Sequence, residues 1–190
     1  MAVIHQTTMQ PTKVELLTDW LPKQSWYLGG AGTPVLAKAG GFRLDDPAGE
    51  VGIEFVVVVD TSAAEPVAYL VPMGYRGAPL DGVPETALVG TSEHGVLGTR
   101  WLYDGAHDPV VREQLRALMN GGAVPQDQDE DDTPDLTVTV HGAVGDGEFD
   151  VRLSRVLRAG AAQGDTAQLV AEWTWPEGST TRGVFATAVR

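Results

Sequence analysis

Residues 51–76 carry the pattern that most limits the fold. Val51 to Asp60 reads Val-Gly-Ile-Glu-Phe-Val-Val-Val-Val-Asp, nearly all β-branched or aromatic, which is strand composition. Thr61 to Pro66 supplies turn residues, and Val67 to Arg76 resumes an apolar strand pattern. Two such runs joined by a short turn predict an antiparallel hairpin. A lone hairpin is marginal in water, so more strands or a helix must pack on it.

The flanking sequence supplies both. Ala2 to Met9 reads as a short strand, broken by Pro11. Thr12-Lys-Val-Glu15 is a capping box, in which the Thr12 hydroxyl accepts from a helix N–H and Glu15 reaches back. Val14, Leu17 and Leu21 then give one apolar helical face that stops near Pro22. Gly29 to Pro34 is a loop, and Val35 to Leu44 is a strand with a bulge expected at Gly40-Gly41. After a Gly/Pro loop over Gly77 to Glu85, Ala87 to Gly90 is a short strand-like piece. Gly95 to Tyr103 is a further strand. Asp108-Pro109 predicts a second helix, with Asp as N-cap and Pro at N1. Its buried face is Val111, Leu115 and Leu118, and Gly121 closes it. The last third predicts four strands, Leu136 to His141, Glu148 to Leu157, Gln168 to Trp175 and Thr181 to Val189, separated by Gly-rich or Pro-Glu-Gly turns. The expected class is α+β: curved antiparallel sheet with two flanking helices.

Three regions follow. Residues 1–122 form an α+β region, 123–135 an acidic flexible linker, and 136–190 a β-strand segment that completes the same domain. The linker holds Asp127, Asp129, Glu130, Asp131, Asp132 and Asp135, with two prolines and few apolar residues.

Composition narrows the function. The net charge of −13 disfavours nucleic acid and anionic lipid as partners. The longest apolar run, Phe55 to Val59, is far below the ~20 residues that span a bilayer. Met1 to Gln10 has neither a basic region nor a long apolar run, so no secretory leader is expected. With no cysteine, the chain has no disulfide and no thiolate chemistry, and a cytoplasmic location is expected.

The catalytic signatures are tested by what each chemistry needs. None of Lys13, Lys23 and Lys38 follows a glycine, so there is no P-loop. Gly29-Gly30-Ala31-Gly32 has Val35 where a dinucleotide loop needs its last glycine. No G-x-S-x-G elbow and no H-E-x-x-H helix occurs. His5, His94, His107 and His141 are scattered and read as structural or surface residues. Asp127, Asp129 and Asp131 alternate as in a calcium loop, but Asp132 and Val138 occupy the places of its glycine and glutamate. No metal and no cofactor is expected. The aromatic residues are the remaining candidates for binding: Trp26, Tyr27, Trp101, Trp173 and Trp175. A ring can stack on the apolar face of a sugar, and the same rings serve equally as core or sheet-face packing. Trp173 and Trp175 share one strand face at period two.

Trp20-Leu-Pro-Lys-Gln-Ser-Trp-Tyr-Leu-Gly-Gly30 resembles the entry to the N-terminal cap of maltokinases, where a helix leads into a W-L-P-x-Q-R-W-(Y/F)-x-G type segment. Ser25 stands at the family's usual arginine, and Leu28 and Ala31 depart from its frequent G-G-K ending. Val56 to Pro72, with Tyr69 and Pro72, resembles the caps' strand–turn–strand. Gly95 to Asp104, followed by Asp108-Pro109, is similar to stand-alone cap-like proteins of actinobacteria, some of them called 1,4-α-glucan branching proteins. Branching chemistry uses a barrel of ~250 residues, which this chain does not supply. Related kinases carry His-Gly-Asp in a catalytic lobe. His94-Gly95 and His141-Gly142 begin that way, with Val96 and Ala143 in place of the base.

The resemblance implies a cap-like fold and a non-catalytic regulatory or protein-interaction role linked to maltose, glucose or α-glucan metabolism. Its partner would be a protein of sugar metabolism, and a homodimer stays open. The alternative is a small-molecule sensor or carrier for a sugar or sugar phosphate. A third reading is an enzyme whose carboxylates gather from distant loops. Asp45, Asp46, Asp104 and Asp108 would serve it, although each reads more simply as a turn or cap residue.

Overall fold

The computed structural model describes residues 9–129, 133–145 and 147–190. The strand expected over Ala2 to Met9 lies outside these residues except at its end. There, β1 (Met9–Gln10) pairs with β5 (Leu88–His94). The capping box forms as expected: Thr12 accepts from the Glu15 N–H and the Glu15 carboxylate accepts from the Thr12 N–H, starting α1 (Lys13–Trp20). A 3-10 turn at Leu21–Lys23 carries Pro22 and ends the helical segment.

β2 (Leu36–Leu44), β3 (Gly52–Asp60) and β4 (Val67–Arg76) form an antiparallel meander. With β5 and β6 (Gly98–Asp104) they make a six-stranded sheet in the order β1-β5-β6-β4-β3-β2. α2 (Pro109–Met119) follows. A second sheet has the order β7-β9-β10-β8, from β7 (Thr139–His141), β8 (Asp150–Leu153), β9 (Gln168–Thr174) and β10 (Thr180–Val189). Every pairing between these strands is antiparallel. The class is α+β, with curled antiparallel sheet and two helices.

The uniform apolar run of β3 has a simple cause: both faces of the strand are covered. Phe55, Val57 and Val59 point to one side, where they meet Phe42, Leu70, α2 and the second sheet's Trp173 and Phe185. Val56 and Val58 point to the other, against Leu17, Trp20 and Leu21 of the first helical segment. β4 divides the same way, with Ala68 and Leu70 on one side and Tyr69, Val71 and Met73 on the other. A strand with no wet face shows no polar alternation.

The bulge expected at Gly40-Gly41 is seen as a register shift between Lys38 and Gly40. Both glycines have positive φ, 137° and 128°. A Cβ on Gly41 would stand 1.8 Å from the Phe55 carbonyl oxygen, so only glycine fits there.

Two expectations change. The strand expected over Ala87 to Gly90 runs on to His94, and its partner begins at Gly98 rather than Gly95. Thr91, Ser92 and Glu93 hid it, because β5 lies near the sheet edge and needs few apolar residues. The strand expected over Glu148 to Leu157 divides at Leu153. Beyond it the chain leaves the second sheet and joins the first: Leu70 N–H donates to Arg155 O at 3.0 Å and Leu157 N–H to Ala68 O at 2.9 Å. β6 pairs with β4 only over Met73 to Arg76, so the other half of that edge is open to this segment.

The described residues of the acidic stretch lie at the outer edge of β2. Arg43 and Gln126 exchange backbone hydrogen bonds at 2.9 Å, and Asp135 N–H donates to Pro125 O at 2.9 Å. The remainder of the expected linker, Glu130 to Asp132, lies outside the described residues. Pairing at this place covers part of an edge that would otherwise expose unpaired backbone groups.

α2 is fixed to the first sheet by a buried ion pair. Asp108 is fully buried and caps the helix through the Val110 N–H at 2.9 Å. Its two carboxylate oxygens accept from Arg76 Nε and Nη2, both at 2.7 Å. Removing one partner strands a buried charge. Asp108→Ala is therefore expected to lower unfolding free energy by about 3–5 kcal/mol, measured by urea denaturation.

Candidate functional site

The segment after α1 folds back across the first sheet. Trp26 stands edge-on to Trp20, with ring centroids 5.8 Å apart, and 6.0 Å from Tyr69 of β4. Tyr27 lies 5.5 Å from Tyr69. The Arg155 guanidinium sits 4.9 Å from the Trp26 ring centroid. Trp20 Nε1 donates to Thr86 O at 2.9 Å. Trp26 and Tyr27 are half-buried, and their rings hold the loop to the sheet.

Asp60 organises the end of this loop. It is 3% exposed and accepts from Tyr27 Oη at 2.8 Å, Val35 N at 3.0 Å and Ser62 N at 2.9 Å. Burial pushes the Asp60 carboxyl up, but the Ser62, Tyr27 and Val35 hydrogen bonds outweigh it and hold the group below the usual range. The Tyr27 phenol is pushed up to about 12, first by loss of water and then by the Asp60 charge.

The other aromatic candidates separate. Trp173 is 1% exposed and packs between Phe185 and Trp175 in the core, which corrects its expected role as a binding platform. The second sheet closes on β2 at this place, and that contact takes the ring out of solvent. Trp175 remains half-buried and stands edge-on to Trp173 at 6.0 Å, with Nε1 donating to Thr181 Oγ1 at 2.8 Å. It lines a cleft of about 500 Å³ with Lys38, Gly40, Gln128 and Pro176. Trp101 is half-buried in β6, between Thr91 and Arg76. The five candidates thus fall in three separate places: Trp26 with Tyr27, Trp173 with Trp175, and Trp101.

The carboxylates serve turns and caps. Asp46 accepts from the N–H groups of Ala48, Glu50 and Val51. Asp104 accepts from Ala106 N–H and pairs with Arg155. Asp45 accepts from Gln126 Nε2 at 2.8 Å. Buried Glu54 gathers Lys13 Nζ, Tyr75 Oη at 2.6 Å and Gln128 Nε2 at 2.9 Å. Among the described residues no three acids or histidines gather to hold a metal ion. His94 Nδ1 accepts from Val96 and Leu97 N–H at the β5–β6 hairpin tip, and His141 contacts Thr139. His5 lies outside the described residues.

One cluster was not foreseen from the sequence. Arg112 and Arg116 of α2, with Arg155, line a cleft of about 440 Å³ between α2 and β8. Its other walls include His107, Leu115, Asp150 and Val151. The available signal was the scarcity of cations, 13 in the chain, together with two arginines spaced i, i+4 on one helix. Arg155 lies too far along the chain to be linked to them by spacing.

This architecture, a curled antiparallel sheet with an aromatic loop bound across one face, defines an α+β module. Residues 20–108 match the family model described as the maltokinase N-terminal cap domain. The chain therefore carries a maltokinase N-terminal cap-like domain. The match runs from the last residue of α1 to the N-cap of α2, and leaves α2 itself and the second sheet beyond it. No helix among the described residues is long and apolar enough to cross a membrane.

The Tyr27–Asp60 bond has a pH signature. A phenol whose folded value exceeds its unfolded value, ordinarily near 10, stabilises the fold fully below pH ~10 and loses that contribution as pH rises through about 12. Tyrosinate absorbance is expected to show late titration of Tyr69 and Tyr75, whose phenols burial also pushes up, and of Tyr27, the phenol bonded to Asp60. Asp60→Asn should bring the Tyr27 phenol part of the way back, with weaker alkaline stability below pH 12.

Proposed function

We propose that this chain acts as a non-catalytic regulatory or protein-interaction domain in maltose, glucose or α-glucan metabolism, docking onto an enzyme of that metabolism. The observation that carries the reading is the match of residues 20–108 to the maltokinase N-terminal cap. Two features support it. Asp45, Asp46, Asp60, Asp104, Asp108 and Glu54 all have partners in turns, caps and ion pairs, which ties these groups to structure. The tip of the β5–β6 hairpin, inside the matched region, presents Val96 at 65% and Leu97 at 45% exposure. Apolar residues held out on a short hairpin are available for contact with a partner protein.

The test is retention of purified carbohydrate kinases and α-glucan enzymes from the source cell on the immobilised chain. One of them is expected to bind, and Val96→Ser with Leu97→Ser together should weaken binding about tenfold or more. Failure to retain any such enzyme, or phosphoryl transfer from ATP to maltose by the chain itself, would overturn the reading.

A second reading rests on Trp175. Its half-buried ring lines a cleft with Lys38 and Gln128, a stacking surface beside hydrogen-bonding groups. Under this reading, titration with maltose, trehalose or glucose phosphates shifts tryptophan fluorescence, and Trp175→Ala abolishes the shift. An unchanged emission with every sugar would sink it.

A further inference from the structure

We propose that the cleft between α2 and β8 is a binding site for a phosphate group, taken up by Arg112, Arg116 and Arg155. The site is separate from the hairpin tip and from Trp175, so it stands whether or not the docking role holds.

Three observations carry it. The first is the distribution of charge. The chain has 26 acidic and 13 basic residues, yet three arginines and His107 line this one cleft, and Asp150 is the only acid among its described lining residues. A distribution set only by solubility would not gather the scarcer sign at a concavity. The second is how the helix arginines are held. Arg112 Nη2 donates to both oxygens of Asp150, at 2.8 and 2.9 Å, and Arg116 Nη1 lies 3.5 Å from the same carboxylate. The ion pair is open to solvent, with Arg112 44% and Asp150 56% exposed at the side chain, so it is weak and exchangeable. A carboxylate that collects two guanidinium groups marks a place where a phosphate, with more oxygens and more charge, can replace it. The third is Arg155. One of its nitrogens pairs with Asp104 and its guanidinium lies over Trp26, while Nη1 is buried with no hydrogen-bond partner among the described residues. A buried donor of this kind calls for an acceptor.

The other walls describe the rest of the ligand. Pro72, Val111, Leu115, Val151 and Leu153 give the cleft an apolar surface beneath its cationic groups. That pairing suits a phosphate ester whose body rests on apolar side chains, as well as the free ion.

Isothermal titration of the full chain at low ionic strength, with inorganic phosphate and with glucose 1-phosphate, tests the assignment. Glucose serves as the uncharged control. Saturable binding is expected for the wild type, weakened at least about tenfold by Arg112→Gln with Arg116→Gln. Asp150→Asn frees both arginines and should tighten it. Arg152→Gln removes an exposed charge on β8 that does not line the cleft, and should leave binding unchanged. Tighter binding of glucose 1-phosphate than of phosphate identifies an ester as the occupant, whereas equal affinity identifies the free ion. The proposal is overturned if neither the wild type nor Asp150→Asn binds phosphate saturably, or if Arg152→Gln weakens binding as much as the double variant. In either case the arginines are a tie between α2 and β8, and their loss shifts only the melting temperature.

Discussion

β3 and β4 have no solvent face, and the rest of the structure follows from covering them. One side receives α1 and the aromatic loop behind it. The other receives α2 and the second sheet. Neither layer is self-sufficient, since α1 has eight residues and a four-stranded sheet with one apolar face must rest on something. The hairpin holds the layers together because its side chains alternate between two apolar environments. This is also why the C-terminal segment belongs to the same packed unit: Trp173 and Phe185 meet Phe42 across the interface, and residues 155–157 fill the open edge of β4.

Polar groups then fix the register of the layers. Asp108 binds Arg76 while it caps α2, so one carboxylate positions a helix against a strand. Asp60 ties the aromatic loop to the end of β3 through the Tyr27 hydroxyl and the Val35 N–H. Glu54 collects groups from α1, β4 and the acidic stretch. In a chain with twice as many acids as bases, a buried carboxylate must draw on backbone N–H groups, phenols and amides as well as the few cations. The arginines that line the α2 cleft stand out against that background.

Much of the local structure was legible. The Thr12–Glu15 capping box, the Asp108-Pro109 helix start, the glycine bulge and the last two strands each rest on short-range chemistry and formed close to where their residues placed them. β5 was shortened because Thr91, Ser92 and Glu93 carry no apolar signal at a near-edge position. The strand over Glu148 to Leu157 was read as one element because the sequence records apolar character but not which sheet receives it. The site was less legible still. The five aromatic candidates came from residue type, and residue type does not distinguish Trp173, sealed by the second sheet, from Trp175 two residues on.

The sequence alone determined most of the elements, their caps and turns, the acidic character and the likeness to a maltokinase cap, because each of these depends on neighbours within a few residues or on composition. Tertiary structure decided which face each strand buries, which tryptophan stays near solvent, and that arginines 39 or more residues apart share one cleft with Asp150. The reason is physical. Pairing of sheet edges and closure of one layer on another are set by free energies summed over the whole chain, and no local window of sequence contains that sum.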